Sequence, residues 1–319
     1  MIRNHIKVSW RNLTKRKLQF TINLIGLTVS IVSAVVIALF LSHEYSFNTG
    51  FRNHESIYRV DQDYSAGDQN LYWATTPSAL LPALHSQLPD LEKGTIVFDI
   101  STFTTFLVDG GDGNREEKSI AFADTSFFEV FDIEFLVGSR QKVLHEPYNV
   151  VLSESMAKRY FKDSQHAIGK VLKVNNRTEF TVAGVIPDFP SNSTLNYDFI
   201  GSFLSQPHGK DPSWSNNNYH TYLKLNPGSN PDQTSSLINE WIENEFGEDL
   251  KQNNVTTHFS LAPLSTIHFD TQREMYGSVA AMDERYLKLL GAIGLLLILE
   301  LQPILSIFPL QNLLNMPKK

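Results

Sequence analysis

The chain has no cysteine, which excludes disulfide staples and thiolate metal sites. Its ten histidines form no H-x-x-x-H or H-E-x-x-H pair, so no helix-borne metal site is expected. Neither G-x-S-x-G nor G-x-x-x-x-G-K-S/T occurs, which removes the nucleophile elbow of hydrolases and the phosphate cradle of NTPases. Acidic residues are missing altogether from positions 1–41. Positions 42–285, by contrast, hold 33 Asp and Glu against 18 Lys and Arg, a net charge near −15. That excess leaves no basic stripe for nucleic acid. These absences argue against an enzyme, and they nominate no catalytic, cofactor-binding or metal-binding residue and no cofactor. Adjacent acids such as Glu116-Glu117 and Asp283-Glu284 are expected on solvated faces. The aromatics Tyr58, Phe98, Phe180 and Phe199 are expected in strand cores.

What is present is a run of 22 uncharged residues, Phe20 to Leu41. As a helix rising about 1.5 Å per residue it reaches roughly 33 Å, enough to cross a bilayer. Six cations precede it (Arg3, Lys7, Arg11, Lys15, Arg16 and Lys17), and the chain turns acidic after it, from Glu44 onward. The positive-inside rule therefore expects a cytoplasmic amino terminus and an extracytoplasmic body in an integral membrane protein. A cleaved signal peptide would have a shorter apolar core and a small-x-small exit, and neither is found. Within residues 1–19, Ile2, Ile6, Trp10 and Leu13 share one helical stripe and Arg3, Lys7 and Arg11 another. That pattern expects an amphipathic helix at the cytoplasmic interface, with membrane lipid as its partner. It is either a basic flank or an elbow on which a cytoplasmic partner pushes.

Beyond the run, residues 56–64 alternate as a strand. Thr76 and Pro77 are expected to cap and open a helix carrying Leu80, Leu81 and Leu84, which Pro82 should distort or shorten. Residues 94–100 read as a second strand. A similar passage recurs. Residues 220–225 form a strand, and Asn230-Pro231-Asp232 opens a helix with Leu237, Ile238, Trp241 and Ile242 on one face. Gly247 is expected to close that helix, and residues 255–261 alternate as a strand. Two strand–helix–strand units can share one sheet with both helices on one face, an α+β fold. Between them, at about 101–215, the sequence is strand-rich. Asp109 to Asn114 reads as a hairpin tip, Ser153 as the cap of a helix, and Asn175-Asn176 as a tight hairpin turn.

The segments VVLSESMAKRYF and IGKVLKVNNRTEFTVAGVIPDFPSNS resemble the periplasmic core domain of MacB- and FtsX-type ABC transporter permeases. The shared pattern is S-x-x-x-A-x-x-x-F, then G-x-x-I/L, then F/Y-x-V-x-G-V-I/V-x-D-x-P. Ser153, Ala157, Phe161, Gly169, Val182, Gly184, Val185, Asp188 and Pro190 fill it. WRNLTKRKLQFTINLIGLTVSI is similar to the family's first membrane helix, and PSALLPALHSQLPDLE to its early periplasmic helix. The resemblance covers about 1–290. It implies a transmembrane helix at 20–41 and a periplasmic core domain at 42–285. That domain would have porter halves at about 55–100 and 218–275 and an inserted subdomain at about 101–215.

By the same resemblance, the chain would be a permease subunit, or an amino-terminal fragment of one. It would work as a dimer in the inner membrane with a separate cytoplasmic ABC ATPase, transmitting motion outward to export a substrate or act on a periplasmic adaptor or outer-membrane partner. Candidate cargoes are peptides, lipids, lipoproteins and antibiotics. The family continues with three further membrane helices; here one apolar segment follows, at 287–310, before the tail 311–319. Its core, Leu289–Leu310, has fourteen Leu, Ile or Phe residues, each contributing roughly −0.3 to −0.6 kcal/mol to insertion, against roughly 3 kcal/mol for Glu300. Insertion, with a kink near Pro303, is expected. Glu300 is read either as altered sequence from a truncated gene, the preferred reading, or as an acid facing a missing helix. The alternative function is a membrane-anchored extracytoplasmic sensor or interaction domain without transport activity.

Overall fold

The uncharged run becomes a helix of 29 residues, α1 (Lys17–Tyr45). The structure, a computed structural model, describes residues 17–101, 103–276 and 281–314, and for 300–314 the backbone alone. The amphipathic helix expected over 1–19 and the tail 311–319 fall largely outside the described residues, as does the side chain of Glu300. Along α1, Ile25, Val32 and Leu39 are 59%, 56% and 67% exposed. A core helix of a soluble protein would bury such side chains against protein, whereas a membrane helix gives them to lipid. The stretch of membrane length is Leu24–Tyr45. It ends beyond the expected Leu41 because helical hydrogen bonding continues through His43 and Glu44.

Ser46–Met282 form a separate folded unit. It begins with β1 (Ile57–Ala66), which turns back as β2 (Gln69–Trp73), and continues through α2 (Leu80–Leu84) to β3 (Leu91–Asp99). The helix does not start at Thr76. That residue bridges across the sheet instead: its N–H donates to the Tyr219 carbonyl at 2.7 Å, and its hydroxyl lies 2.7 Å from Thr221 Oγ1. With the start moved to Leu80, Pro82 falls in the first turn, where a backbone N–H has no acceptor within the helix, so the proline is tolerated.

The strand-rich stretch follows as β4 (Phe106–Asp109), β5 (Asn114–Glu117), β6 (Ile120–Ala123) and α3 (Phe127–Val130). Next come β7 (Asn149–Ser153), α4 (Glu154–Phe161), α5 (Ser164–Ala167), β8 (Val171–Val174), β9 (Thr178–Ile186), β10 (Phe199–Ser202) and α6 (Pro207–Lys210). Asp109 Oδ1 accepts the Gly111 and Gly113 N–H groups at 2.7 and 3.0 Å, and both glycines have positive φ, which makes the acidic loop the tip of the β4–β5 hairpin. Ser153 caps α4 by accepting from the Met156 N–H at 3.3 Å. Asn175 and Asn176, at φ 50° and 57°, join β8 to β9 in the primed geometry that matches strand twist.

The second passage is β11 (His220–Leu225), α7 (Pro231–Gln252) and β12 (Val255–Pro263). Asn230 Oδ1 accepts from the Asp232 and Gln233 N–H groups at 2.9 and 3.4 Å, with Pro231 at the first helical position. Gly247 does not close the helix. Its φ stays in the ordinary range, and α7 runs on to Gln252 because Leu250 still packs against the core.

All strands join one sheet in the order β12-β1-β11-β3-β6-β10-β7-β9-β8-β4-β5, with β2 beside β1. In the first four, every pairing is antiparallel and β11 inserts between β1 and β3, so the two passages interlock. β3 then pairs with β6 and carries the sheet into the strand-rich stretch. α2, α4 and α7 cover one face, where Leu80, Leu84, Ala157 and Ile238 pack with Val60 and Phe259. On the other face α3 supplies Phe127 and Phe128, which pack with Ile57, Val97 and Tyr222.

The last helix, α8 (Glu284–Leu314), packs in one unit with α1 and runs unbroken through position 303. A Cβ on Gly294 would sit 3.0 Å from Ile37 Cγ2, and one on Gly291 3.5 Å from Leu41 Cδ1. Small residues thus let the two helix backbones approach.

Candidate functional site

β1 carries Arg59, Asp61 and Asp63 on one face, because strand side chains alternate with period two. The Arg59 guanidinium grips Asp61 with both ends, Nε to Oδ1 at 2.6 Å and Nη2 to Oδ2 at 3.1 Å, and also reaches Asp270 Oδ2 at 3.1 Å. Arg273, in the 3-10 turns Thr271–Tyr276, closes the cluster. Its Nε lies 3.3 Å from Asp61 Oδ2 and its Nη2 2.5 Å from Asp63 Oδ1. Its Nη1 donates to the Gln62 and Trp73 carbonyls at 3.4 and 3.3 Å. Two arginines and three aspartates thus pin the segment after β12 onto β1 and β2.

Arg59 and Asp61 are 6% and 2% exposed. Burial holds the Asp61 carboxyl above the usual carboxylate range in spite of Arg59 and Arg273. Burial also pulls on Arg59, but Asp61 lifts its guanidinium above the ordinary value. His220, whose Nδ1 donates to the Ala74 carbonyl at 2.9 Å, has its pKa lowered by burial and then by Arg59. Such a cluster orders and positions. It offers no nucleophile beside a base, and among the described residues no group of three or more His, Asp or Glu converges as a metal cage.

A second feature lies in the strand-rich stretch. A hollow of about 710 Å³ is lined by Phe106, Phe122, Tyr148, Leu172, Phe180 and Phe199, with Asn175 and Arg177 at its rim. Gly201 makes room for it: a Cβ there would come 2.6 Å from the Phe122 ring. Its walls are mostly apolar, with Thr178, Ser205 and Gln206 among them, and carry no acid–base pair, so this hollow can bind but has nothing with which to react.

The residues that carried the family resemblance are structural. Ser153 caps α4, Ala157 and Val185 are fully buried, and Gly169 turns the chain at φ 75°. A Cβ on Gly184 would lie 2.7 Å from the Phe135 ring. Asp188 accepts from the Ser155 amide at 2.9 Å and hydroxyl at 2.5 Å; partial burial opposes its charge, but these bonds hold its pKa below the usual range. Of the expected aromatic core residues, Phe180 and Phe199 are buried and face the hollow, while Tyr58 and Phe98 pack at the edge of the core. Glu117 is not solvated as expected. It is buried, accepting from the Tyr160 hydroxyl at 2.8 Å, with Arg159 3.1 Å away. The charge cluster was missed, although Arg-x-Asp-x-Asp in a strand pattern places three charges on one face.

Compared with known proteins, the model of the MacB-like periplasmic core domain matches residues 20–241. The chain belongs to that family of ABC-type permease domains. The family is one of transporter permeases and not of enzymes, and its domain is extracytoplasmic in membrane permeases. Among solved structures, a domain described as part of a permease protein from Porphyromonas gingivalis is similar at 25% identity with a TM-score of 0.59, covering 67% of this chain and 91% of that one. The periplasmic region of MacB from Actinobacillus actinomycetemcomitans matches at 16% identity and a TM-score of 0.43, covering 64% and 89%. The extracellular domain of the noncanonic ABC-type transporter YknZ from Gram-positive bacteria matches at 11% and 0.45, covering 64% and 98%. No curated protein matches the sequence.

Proposed function

We propose that this MacB-like chain is a permease subunit that passes motion from a separate cytoplasmic ABC ATPase to its extracytoplasmic domain, for export or efflux. The observation that carries this reading is the run of the family match, residues 20–241, which joins the apolar helix to the folded domain in one stretch. The basic flank before the apolar run supports a cytoplasmic amino terminus with Ser46–Met282 outside, by the positive-inside rule. The porter halves at about 55–100 and 218–275 and the inserted part at about 101–215 remain the domain reading. In this scheme the Arg59–Asp61–Arg273 cluster makes the end of the domain move with the sheet, because charges buried together separate only at high cost. A dimer, a periplasmic adaptor and the surrounding lipid are the partners this mechanism calls for. The test is affinity purification of the full chain from its own membrane. An ATPase with a phosphate-binding loop is expected to come with it, and its repeated absence overturns the reading in favour of an anchored sensor. Protease added to intact spheroplasts should cut within 42–285; protection of that region would refute the topology.

A further inference from the structure

On the face of the sheet that α7 covers, a cleft of about 480 Å³ opens between the second half of that helix and the strands β1 and β12. Its volume falls in the range of small-molecule sites. Tyr64, Trp214 and Phe246 supply aromatic walls. Trp214 and Phe246 pack with ring centroids 4.9 Å apart, and Trp241 backs them at 5.9 and 6.0 Å.

The polar part of the lining includes Gln62, Asn217, Asp249, Asn253 and Thr257. Gln62, 5% exposed, donates its amide nitrogen to Thr257 Oγ1 at 2.9 Å, and its Oε1 accepts nothing. Asn217 Oδ1 is likewise buried without a partner. A buried carbonyl left unpaired is costly, so two of them lining one cleft are a standing demand for hydrogen-bond donors. Of the other polar groups, Asn253 Nδ2 is taken up by the Asp249 carbonyl at 2.7 Å and Thr257 Oγ1 by Gln62, while the Asp249 side chain is an exposed carboxylate on α7. That helix bears six acids and a single cation, Lys251, which is taken up by Glu243 at 2.5 Å. Acceptors inside, negative charge around α7 and aromatic faces between describe one ligand chemistry, because ring faces also attract cations.

We infer that this cleft binds an organic ammonium compound, an apolar or aromatic body bearing an amine. The body stacks against Trp214 and Phe246 while the ammonium faces Asp249, and side-chain rotation at Gln62 and Asn217 turns their unpaired carbonyls to its N–H groups. The site does not rest on the transport reading, since an ATPase could fail to co-purify while amine binding holds.

The experiment is calorimetric titration of the full chain in nanodiscs of zwitterionic lipid, with 2-phenylethylamine and with 3-phenylpropionate, which has a similar body and the opposite charge. Empty nanodiscs correct for partition into lipid. Saturable binding of the amine is expected, with the carboxylate at least about tenfold weaker because its charge meets Asp249 and bare carbonyls. Gln62→Met and Asp249→Asn should each weaken the amine about fivefold. Asp249 is exposed, so its variant keeps the fold even where Gln62→Met disturbs the sheet. Equal binding of the two compounds, no saturation above empty nanodiscs, or an Asp249→Asn chain that binds like the parent overturns the inference.

Discussion

The two strand–helix–strand passages occupy equivalent places in the interlocked sheet, yet they are secured by different means. In the first, α2 has five residues and no side-chain cap, and it stays put because Leu80, Leu81 and Leu84 are buried. In the second, α7 has 22 residues, an asparagine cap and a proline at its first position. The strands differ as well. β12 continues into the turns that Arg273 pins to β1 through buried charge, whereas β3 continues the sheet into β6. On β3, Lys93 forms a half-buried pair with Glu129 of α3. The helix of the first passage is thus held by packing and that of the second by local helix chemistry, while the ionic clasp ties β1 of the first passage to the turns that follow the second.

The sharpest way to break this contrast is to remove one partner of the clasp. Arg59→Met leaves Asp61 buried with less compensation and should lower stability by about 3 to 5 kcal/mol, while Arg59→Met with Asp61→Leu should recover most of that loss. Lys93→Met, at the half-buried pair between β3 and α3, should cost about 1 kcal/mol. Urea unfolding of the full chain in micelles measures all three. If the double variant were no better than Arg59→Met alone, the loss would not come from an uncompensated charge.

A pH series next separates His220 on β11 of the second passage from Asp124, which lies beyond β6 and holds β3 of the first. Asp124, at the end of β6, accepts from Thr95 Oγ1 on β3 at 2.6 Å and from the Ser126 N–H at 3.1 Å, yet burial pushes its pKa up to about 6. A folded-state pKa above the unfolded value of about 3.9 means that its contribution is present below that value and is lost as pH rises through about 6. His220 in the second passage has a lowered folded-state pKa, so its contribution is present above about 6.5 and lost as pH falls. Asp124→Asn should therefore remove part of the alkaline-side loss, at most about 3 kcal/mol at pH 8, and leave the acid-side loss in place. A variant whose stability tracks the parent's between pH 5 and pH 8 would refute this assignment.

Packing in the first passage can be tested at Gly94 on β3. A Cβ there would meet Leu81 Cδ1 at 2.3 Å and Leu223 Cδ2 at 3.3 Å, so α2 lies against the sheet only because that position has no side chain. Gly94→Ala should cost about 1 to 3 kcal/mol through overpacking. Thermal unfolding reads the change, and an unchanged melting temperature would mean that α2 is free to lift.

Much of this was legible in the sequence, and what was not has physical reasons. Asn230-Pro231, Ser153 and Asn175-Asn176 were readable because caps and primed turns are decided by local chemistry. Thr76 misled because an N-cap residue looks the same whether its hydroxyl serves a helix or, as here, reaches Thr221 across the sheet. The order in which β11 slides between β1 and β3 is a matter of long-range pairing that no local window contains. Arg273 could not be linked to Asp61, because that contact spans more than two hundred positions and depends on the whole sheet being formed. Gln62 and Asn217 read as ordinary polar residues, and only burial without a partner sets them apart.

The smallest effect concerns Gly247. In sequence a glycine after a run of helical residues reads as a stop, because it can adopt positive φ at no steric cost. In α7 it does not use that freedom, so it contributes only the entropic penalty of glycine within a helix. A Cβ there would come 2.8 Å from the Glu243 carboxylate, the far end of a flexible side chain on the exposed face, which can move aside. The salt link from Glu243 to Lys251 would loosen as it moves, but both partners are largely solvated and the pair is worth little. Gly247→Ala is therefore expected to raise stability by about 0.5 to 1 kcal/mol. Slower amide exchange at 247–252 would place the gain in the last turns of α7. A loss of stability would show that Glu243 is held in place, and that the second passage, like the first, depends on a position kept free of a side chain.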